Sequence, residues 1–151
     1  MDLMKRKQLL YAICDSFVCN KLRDLNASLE LQKQALLSET KSSAGDKHET
    51  GRAMVQIEME KIGRQILEFE QMKLSMAKMD VSSSSVIRMG SVVKTSQMQY
   101  FIAIAMGKIQ IAKDVYYAVS PNSPIGKILL GKKAKDSIFF QGNTMAIHEI
   151  F

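Results

Sequence analysis

Residues Lys41 to Met54 read KSSAGDKHETGRAM, and the reading of this stretch decides the fold. Upstream of it, Met4 to Thr40 contains neither glycine nor proline. Downstream, the run from about Thr50 to Met79 has the residue make-up of a second helix. The stretch between is therefore predicted to be the tip of a helical hairpin. Within it Asp46 and Glu49 stand three residues apart, on one side of an incipient helical turn. Such a pair has two readings. Asp46 as N-cap with Glu49 at the third helical position is a capping box, and two carboxylates at the end of a rod can also present oxygen ligands to a metal ion.

Both flanking runs carry one apolar stripe. In the first, Leu10, Ile13 and Phe17 are followed by Val18, Leu22, Leu25, Leu29 and Leu36, with Gln32 in the open slot. That is heptad spacing with one register break near Phe17 and Val18. In the second, Ile62, Ile66, Phe69, Met72, Met76 and Met79 repeat in the same way, with Gly63 a mild weakness. A single stripe on each helix suits a two-stranded antiparallel coiled coil, with arms of roughly 45 to 55 Å. Seven of the eleven methionines lie between Met54 and Met98 and are expected to be packing residues.

Composition narrows the class. No apolar run approaches the ~20 residues that cross a bilayer, and the N-terminal MDLMKRKQLLYAICD reads as a helix start, not a signal peptide. The expected location is cytoplasmic, with no membrane partner. Cys14 and Cys19, five apart on one helix, suit neither a disulfide nor a metal pair and are expected to be reduced, partly buried thiols. Residues 1–80 hold 13 Lys and Arg against 12 Asp and Glu, whereas 81–151 hold 8 against 3. The basic second half is compatible with nucleic acid, an acidic surface on a larger assembly, or simply a solvated face.

The polar segment 81–85 ends the helical pattern and is the expected linker between domains 1–80 and 86–151. Beyond it the periodicity becomes β-like at Ser91 to Val93, Tyr100 to Ala105, Val115 to Ser120, Ser137 to Phe140 and Thr144 to Ile150. Gly107 and Gln141-Gly142-Asn143 read as turns. Ser123 before Pro124 reads as an N-cap followed by proline at the first helical position, and Gly131 as the stop of a short helix. The expectation is an α+β chain: a helical hairpin, then a small twisted sheet with one short helix.

Ser123-Pro124-Ile125-Gly126, then Leu129-Leu130-Gly131-Lys132, then Asp136 before a strand, resembles the C-terminal signature of the bacterial Gre transcript-cleavage factors. Gly45-Asp46-Lys47-His48-Glu49 is similar to that family's coiled-coil tip, and the order and lengths of the two halves agree. Lys135 replaces the signature's glycine, Lys47 and His48 an uncharged pair, and Thr50 an asparagine. The resemblance implies an N-terminal antiparallel coiled-coil hairpin and an FKBP-like C-terminal domain. It implies binding to RNA polymerase, insertion of the tip into the secondary channel, and stimulated cleavage of backtracked RNA. Asp46 and Glu49 would then help hold a Mg²⁺ shared with the polymerase, consistent with two-metal phosphoryl chemistry. Ser123, Pro124, Ile125 and Gly126 are candidate partner contacts. A basic face including Lys5, Arg6, Lys7, Lys21 and Arg23 would meet the nascent RNA 3′ end, although the intervening Asp15 and Asp24 equally suit a plain solvated helix face.

No Ser-His-Asp, Cys-His or CxxC constellation and no phosphate loop stands out, so an accessory factor with no small-molecule substrate is expected, not an enzyme. His48 reads as a solvated loop residue and His148 as a strand surface residue. Two other functions compete with transcript cleavage. One is a non-cleaving regulator or inhibitor that enters the same channel; the other is an FKBP-like chaperone or prolyl isomerase.

Overall fold

The structure, a computed structural model, describes residues 2–41 and 46–151, with the side chains of residues 40, 41 and 46–48 outside that description. Helix α1 spans Leu3–Lys41 and α2 spans Asp46–Lys78. Along α1 the residues withdrawn from solvent fall at Val18, Leu22, Leu25, Leu29, Gln32, Leu36 and Glu39, alternating steps of four and three. On α2 they fall at Val55, Met59, Ile62, Ile66, Phe69, Met72 and Met76, with Met79 just beyond its end, so the predicted stripes are present and reach further towards Lys41 and Asp46. Most positions in them are only half-buried; Val18, Ile62 and Met76 are buried outright. No helix among the described residues is long and apolar enough to cross a membrane.

Two compact units emerge: Met1–Phe17 with Leu74–Phe151, and Val18–Lys73. The second contains helix only. A Cβ added at Gly51 would lie 3.0 Å from the Glu39 carboxylate, so the end of α1 and the start of α2 are neighbours there. In the first unit, the Tyr11 hydroxyl donates to the Met76 carbonyl at 2.9 Å, again pairing an α1 residue with one of α2.

The first unit also holds a six-stranded mixed sheet built from β1 (Val92–Thr95), β2 (Gln99–Ile102), β3 (Gly107–Ile111), β4 (Asp114–Val119), β5 (Ser137–Phe140) and β6 (Asn143–Ile150). The order is β3-β4-β2-β1-β6-β5, with β2 and β4 parallel and the other pairs antiparallel. Helix α3 (Pro124–Leu129) packs Ile125 and Leu129 into a cluster with Ile87, Val93, Tyr100, Ile102, Ile138, Met145 and Ile147. The opposite pleat, with Val92, Phe101, Tyr116 and Ala118, is buried as well.

Strand β3 departs from the sequence reading, in which Gly107 marked only a turn. Lys108 and Gln110 are exposed while Ile109 and Ile111 are buried, a clean period of two. The β3–β4 connection is the two-residue loop Ala112-Lys113, with Ala112 at φ 54°. Alanine is not a usual residue for that left-handed position, so no hairpin signal was present. The β5–β6 turn is the reverse case: Gln141 and Gly142 both have positive φ, as a two-residue hairpin requires.

Two glycines should respond oppositely to alanine. Gly63 lies inside α2 with open space where a Cβ would go, so Gly63→Ala should stabilise the chain by about 0.5–1 kcal/mol. At Gly126 a Cβ would sit 2.1 Å from the Ser120 carbonyl oxygen, and Gly126→Ala should cost at least ~2 kcal/mol. Urea denaturation midpoints of the two variants check both signs.

Candidate functional site

The α2 helix begins at Asp46, which places Asp46 and Glu49 in its first turn. Glu49 is exposed. The side chains of Asp46, Lys47 and His48 lie outside the described residues, as do residues 42–45, so neither the capping box nor the metal pair is located by geometry. Among the described residues, no cluster of three or more His, Cys, Asp or Glu has the arrangement of a metal site.

The segment Ser123 to Gly126 is fully placed. Ser123 has φ −67° and ψ 158°; its hydroxyl donates to the Ser120 carbonyl at 2.6 Å and accepts from the Gly126 N–H at 3.1 Å. Pro124 takes the first helical position, where no N–H is needed. Ile125 points into the core, and Gly126 allows the Ser120 carbonyl to approach. The Gly131 N–H donates to the Ile87 carbonyl at 2.9 Å after the helix ends. The Asp136 carboxylate accepts from the Lys133 N–H at 2.8 Å, closing the turn in which Lys135 adopts φ 76°. The signature's glycine would fit that left-handed position without the side-chain clash that lysine meets.

The first turns of α1 hold residues whose roles the sequence did not disclose. Arg6 donates to the Asp114 carboxylate and, at 3.1 Å, to the Tyr116 hydroxyl. Lys7 is 1% exposed and its ammonium donates to the Ser82 carbonyl at 3.2 Å. Ser82 also accepts two bonds from the Arg88 guanidinium, at 2.8 and 3.2 Å, and Arg88 pairs with Asp80 at 3.1 Å. Hydrogen bonds from Ser82 are the main reason the Asp80 carboxyl is held below its usual range, with Arg88 and Lys7 adding to the effect. Of the basic face expected on α1, Lys5, Lys21 and Arg23 are exposed, whereas Arg6 and Lys7 are turned to structure. Spacing alone could not separate them, because lysines and arginines at helix starts are ordinarily solvated.

Both cysteines are free; Cys14 is buried, which pushes its thiol up to about 12, and Cys19 is half-buried. Of the methionines expected to pack, Met76 is buried, while Met54 is 67% and Met98 44% exposed. Around α3 the sheet face is filled by its own side chains. A shallow cleft of about 420 Å³ opens elsewhere in the same unit, beside β2, β3 and β4.

No known family's sequence pattern matches this chain, and no curated protein does. Among solved structures, GreA factor homolog 1 (Gfh1) of Thermus thermophilus is similar over 91% of this chain and 94% of its own, at 20% identity and TM-score 0.38. A structure of the transcription factor Gfh1 shows 23% identity and TM-score 0.37, covering 89% of this chain and 93% of that one. Gfh1 of Thermus aquaticus shows 18% identity and TM-score 0.34, covering 89% and 92%. These low TM-scores supply no argument about architecture or mechanism. The similar solved structures are of Gfh1, and the expectation of transcript cleavage through Asp46 and Glu49 is corrected accordingly. The residue chemistry points the same way. From Lys41 to Met54, Lys41, Lys47 and Arg52 outnumber the two acids, a poor setting for an additional divalent cation.

Burial and the neighbouring Arg88 charge lower the Lys7 ammonium to about 8, with Asp80 partly opposing them. The unfolded chain holds that proton to a higher pH, so the Lys7 contribution to stability should rise between about pH 8 and 10.5. Lys7→Met removes the buried charge and should stabilise the chain at pH 7 by about 1–3 kcal/mol. The advantage should shrink towards pH 10, as read from urea unfolding of both proteins across that range.

Proposed function

We propose that this chain is a non-cleaving regulator of RNA polymerase whose helices enter the secondary channel. In this reading α1 and α2 form an antiparallel coiled-coil hairpin, the sheet domain is FKBP-like, and the chain is an accessory factor without catalysis of its own. The observation that carries it is the length of the helices relative to what they cover. At 39 and 33 residues, they extend about 58 and 50 Å. Between Val18 and Lys73 one largely half-buried stripe on each is withdrawn from solvent, and that segment forms a compact unit without any strand.

A pair of long helices that forms a unit of its own, with charged residues and exposed Leu31, Leu37, Ile57 and Leu67 on its outer faces, is suited to reaching into a confined space against a partner. The tip chemistry supports occupancy in place of catalysis, because Lys47 and Arg52 stand beside the two acids. Docking beside the channel belongs to the sheet domain. Within Ser123 to Gly126, Pro124 is the residue most open to a partner, since Ile125 and Gly126 are buried and Ser123 is engaged in capping.

The test uses the full chain with RNA polymerase from the same source. We expect it to compete with a Gre-type cleavage factor for the polymerase and to reduce cleavage driven by that factor. It should add no cleavage of its own to a backtracked complex at any Mg²⁺ concentration. The double variant Asp46→Ala, Glu49→Ala should compete within about twofold of the parent, since charges at the rim of an interface set orientation and encounter more than affinity. Failure to compete, or cleavage that depends on the two acids, overturns the reading.

A further inference from the structure

We infer that the cleft beside β2, β3 and β4 is a binding site for an extended, acidic peptide segment of a partner protein. The inference stands on the sheet domain alone and does not depend on what the helices do. The cleft is about 420 Å³, a size for one or two side chains, with Tyr117 against its floor and Lys108, Lys113, Gln97 and Gln99 around it. Lys108 is directly opposite Tyr117 in the β3–β4 register, which sets the ammonium stem beside the ring. On the other side of Tyr117 lies Tyr100, with ring centroids 6.5 Å apart.

The charge in this cleft is uncompensated. Asp114 is its sole carboxylate, and Arg6 already holds that group. Lys108 and Lys113 are exposed and have no ion partner among the described residues, and the Tyr117 hydroxyl has no hydrogen-bond partner among them either. Two free cations and a phenol donor around a tyrosine ring are the complement of a side-chain carboxylate.

The neighbouring backbone favours a peptide over a nucleic acid. Strand β3 is the edge of the sheet, and its outer side makes no backbone hydrogen bond among the described residues. An extended segment adding to that edge would place alternate side chains on the cleft face of the sheet. A nucleic-acid strand would call for a longer basic track with exposed aromatic platforms, and the cleft offers one half-buried tyrosine.

The experiment measures fluorescence anisotropy of a labelled peptide of alternating glutamate and valine with the full chain. A second peptide replaces each glutamate by glutamine, and a single-stranded RNA oligonucleotide is the third probe. The glutamate peptide should bind at least about tenfold tighter than the glutamine peptide, and Lys108→Glu with Lys113→Glu should cost about tenfold or more. Reversing Lys132 and Lys133, which are exposed but outside the cleft, should change affinity by less than about twofold. Unchanged thermal melting of the exposed-charge variants separates loss of binding from loss of fold. Absence of glutamate-peptide binding, equal binding of the two peptides, or equal loss on reversing Lys132 and Lys133 overturns the assignment. Tighter binding of the RNA through Lys108 and Lys113 overturns it in favour of a nucleic-acid site.

Discussion

The Arg6 guanidinium, donating to Asp114 and Tyr116 of β4, is the contact on which the first unit's arrangement depends. The first turns of a long helix have few intrahelical partners and fray unless tied down. Arg6 ties them to a strand that is itself held on both sides, by β3 and by β2. Tyr116 is fully buried, so the hydroxyl that receives Arg6 is carried on a rigid element. Four residues on, Leu10 is buried too, followed by Cys14, and the helix then continues on a regular apolar stripe.

Lys7 enters the fold on different terms. An ammonium without full hydration costs several kcal/mol unless paired and hydrogen-bonded. Here it has one bond to a carbonyl, attraction from Asp80 and repulsion from Arg88. The segment that supplies the carbonyl is the serine-rich stretch after α2. Ser82 accepts from both cations and donates to Asp80, so a stretch with no periodicity is nonetheless anchored through its backbone. Polar segments of this kind owe their order to specific hydrogen bonds, not to apolar burial.

How much of this was legible follows from which forces act locally. The stripes of α1 and α2 were, because half-burial at heptad spacing leaves the same pattern in sequence and in solvent exposure. The α3 cap was, because Ser123 and Pro124 act through bonds to residues at most three positions away. Strand β3 was not, since its turn uses Ala112 in a conformation that alanine seldom adopts. The roles of Arg6 and Lys7 were not, because Asp114, Tyr116 and Ser82 lie 75 to 110 residues away along the chain. Spacing and resemblance singled out Asp46 and Glu49 as candidates, whose side-chain geometry is described only for Glu49, while the β2–β3–β4 cleft required the unexpected strand to exist first.

A sequence signature and a functional site need not coincide, and the segment Ser123 to Asp136 shows why. Ser123 caps, Pro124 starts the helix, Ile125 fills the core, Gly126 admits a carbonyl, and Asp136 closes a turn. Each residue type is demanded by the local backbone, so this signature reports a way of folding a helix onto a sheet. It carries over to any protein that needs the same turn, whatever that protein does. What distinguishes one such protein from another is carried by groups the fold leaves unconstrained. In this chain those include the lysines around Tyr117. Lys135 makes the point from the other direction. It occupies a left-handed position where glycine would serve the fold better, while the capping bond of Asp136 and the helix before it remain intact. The architecture therefore tolerates change even inside its own signature.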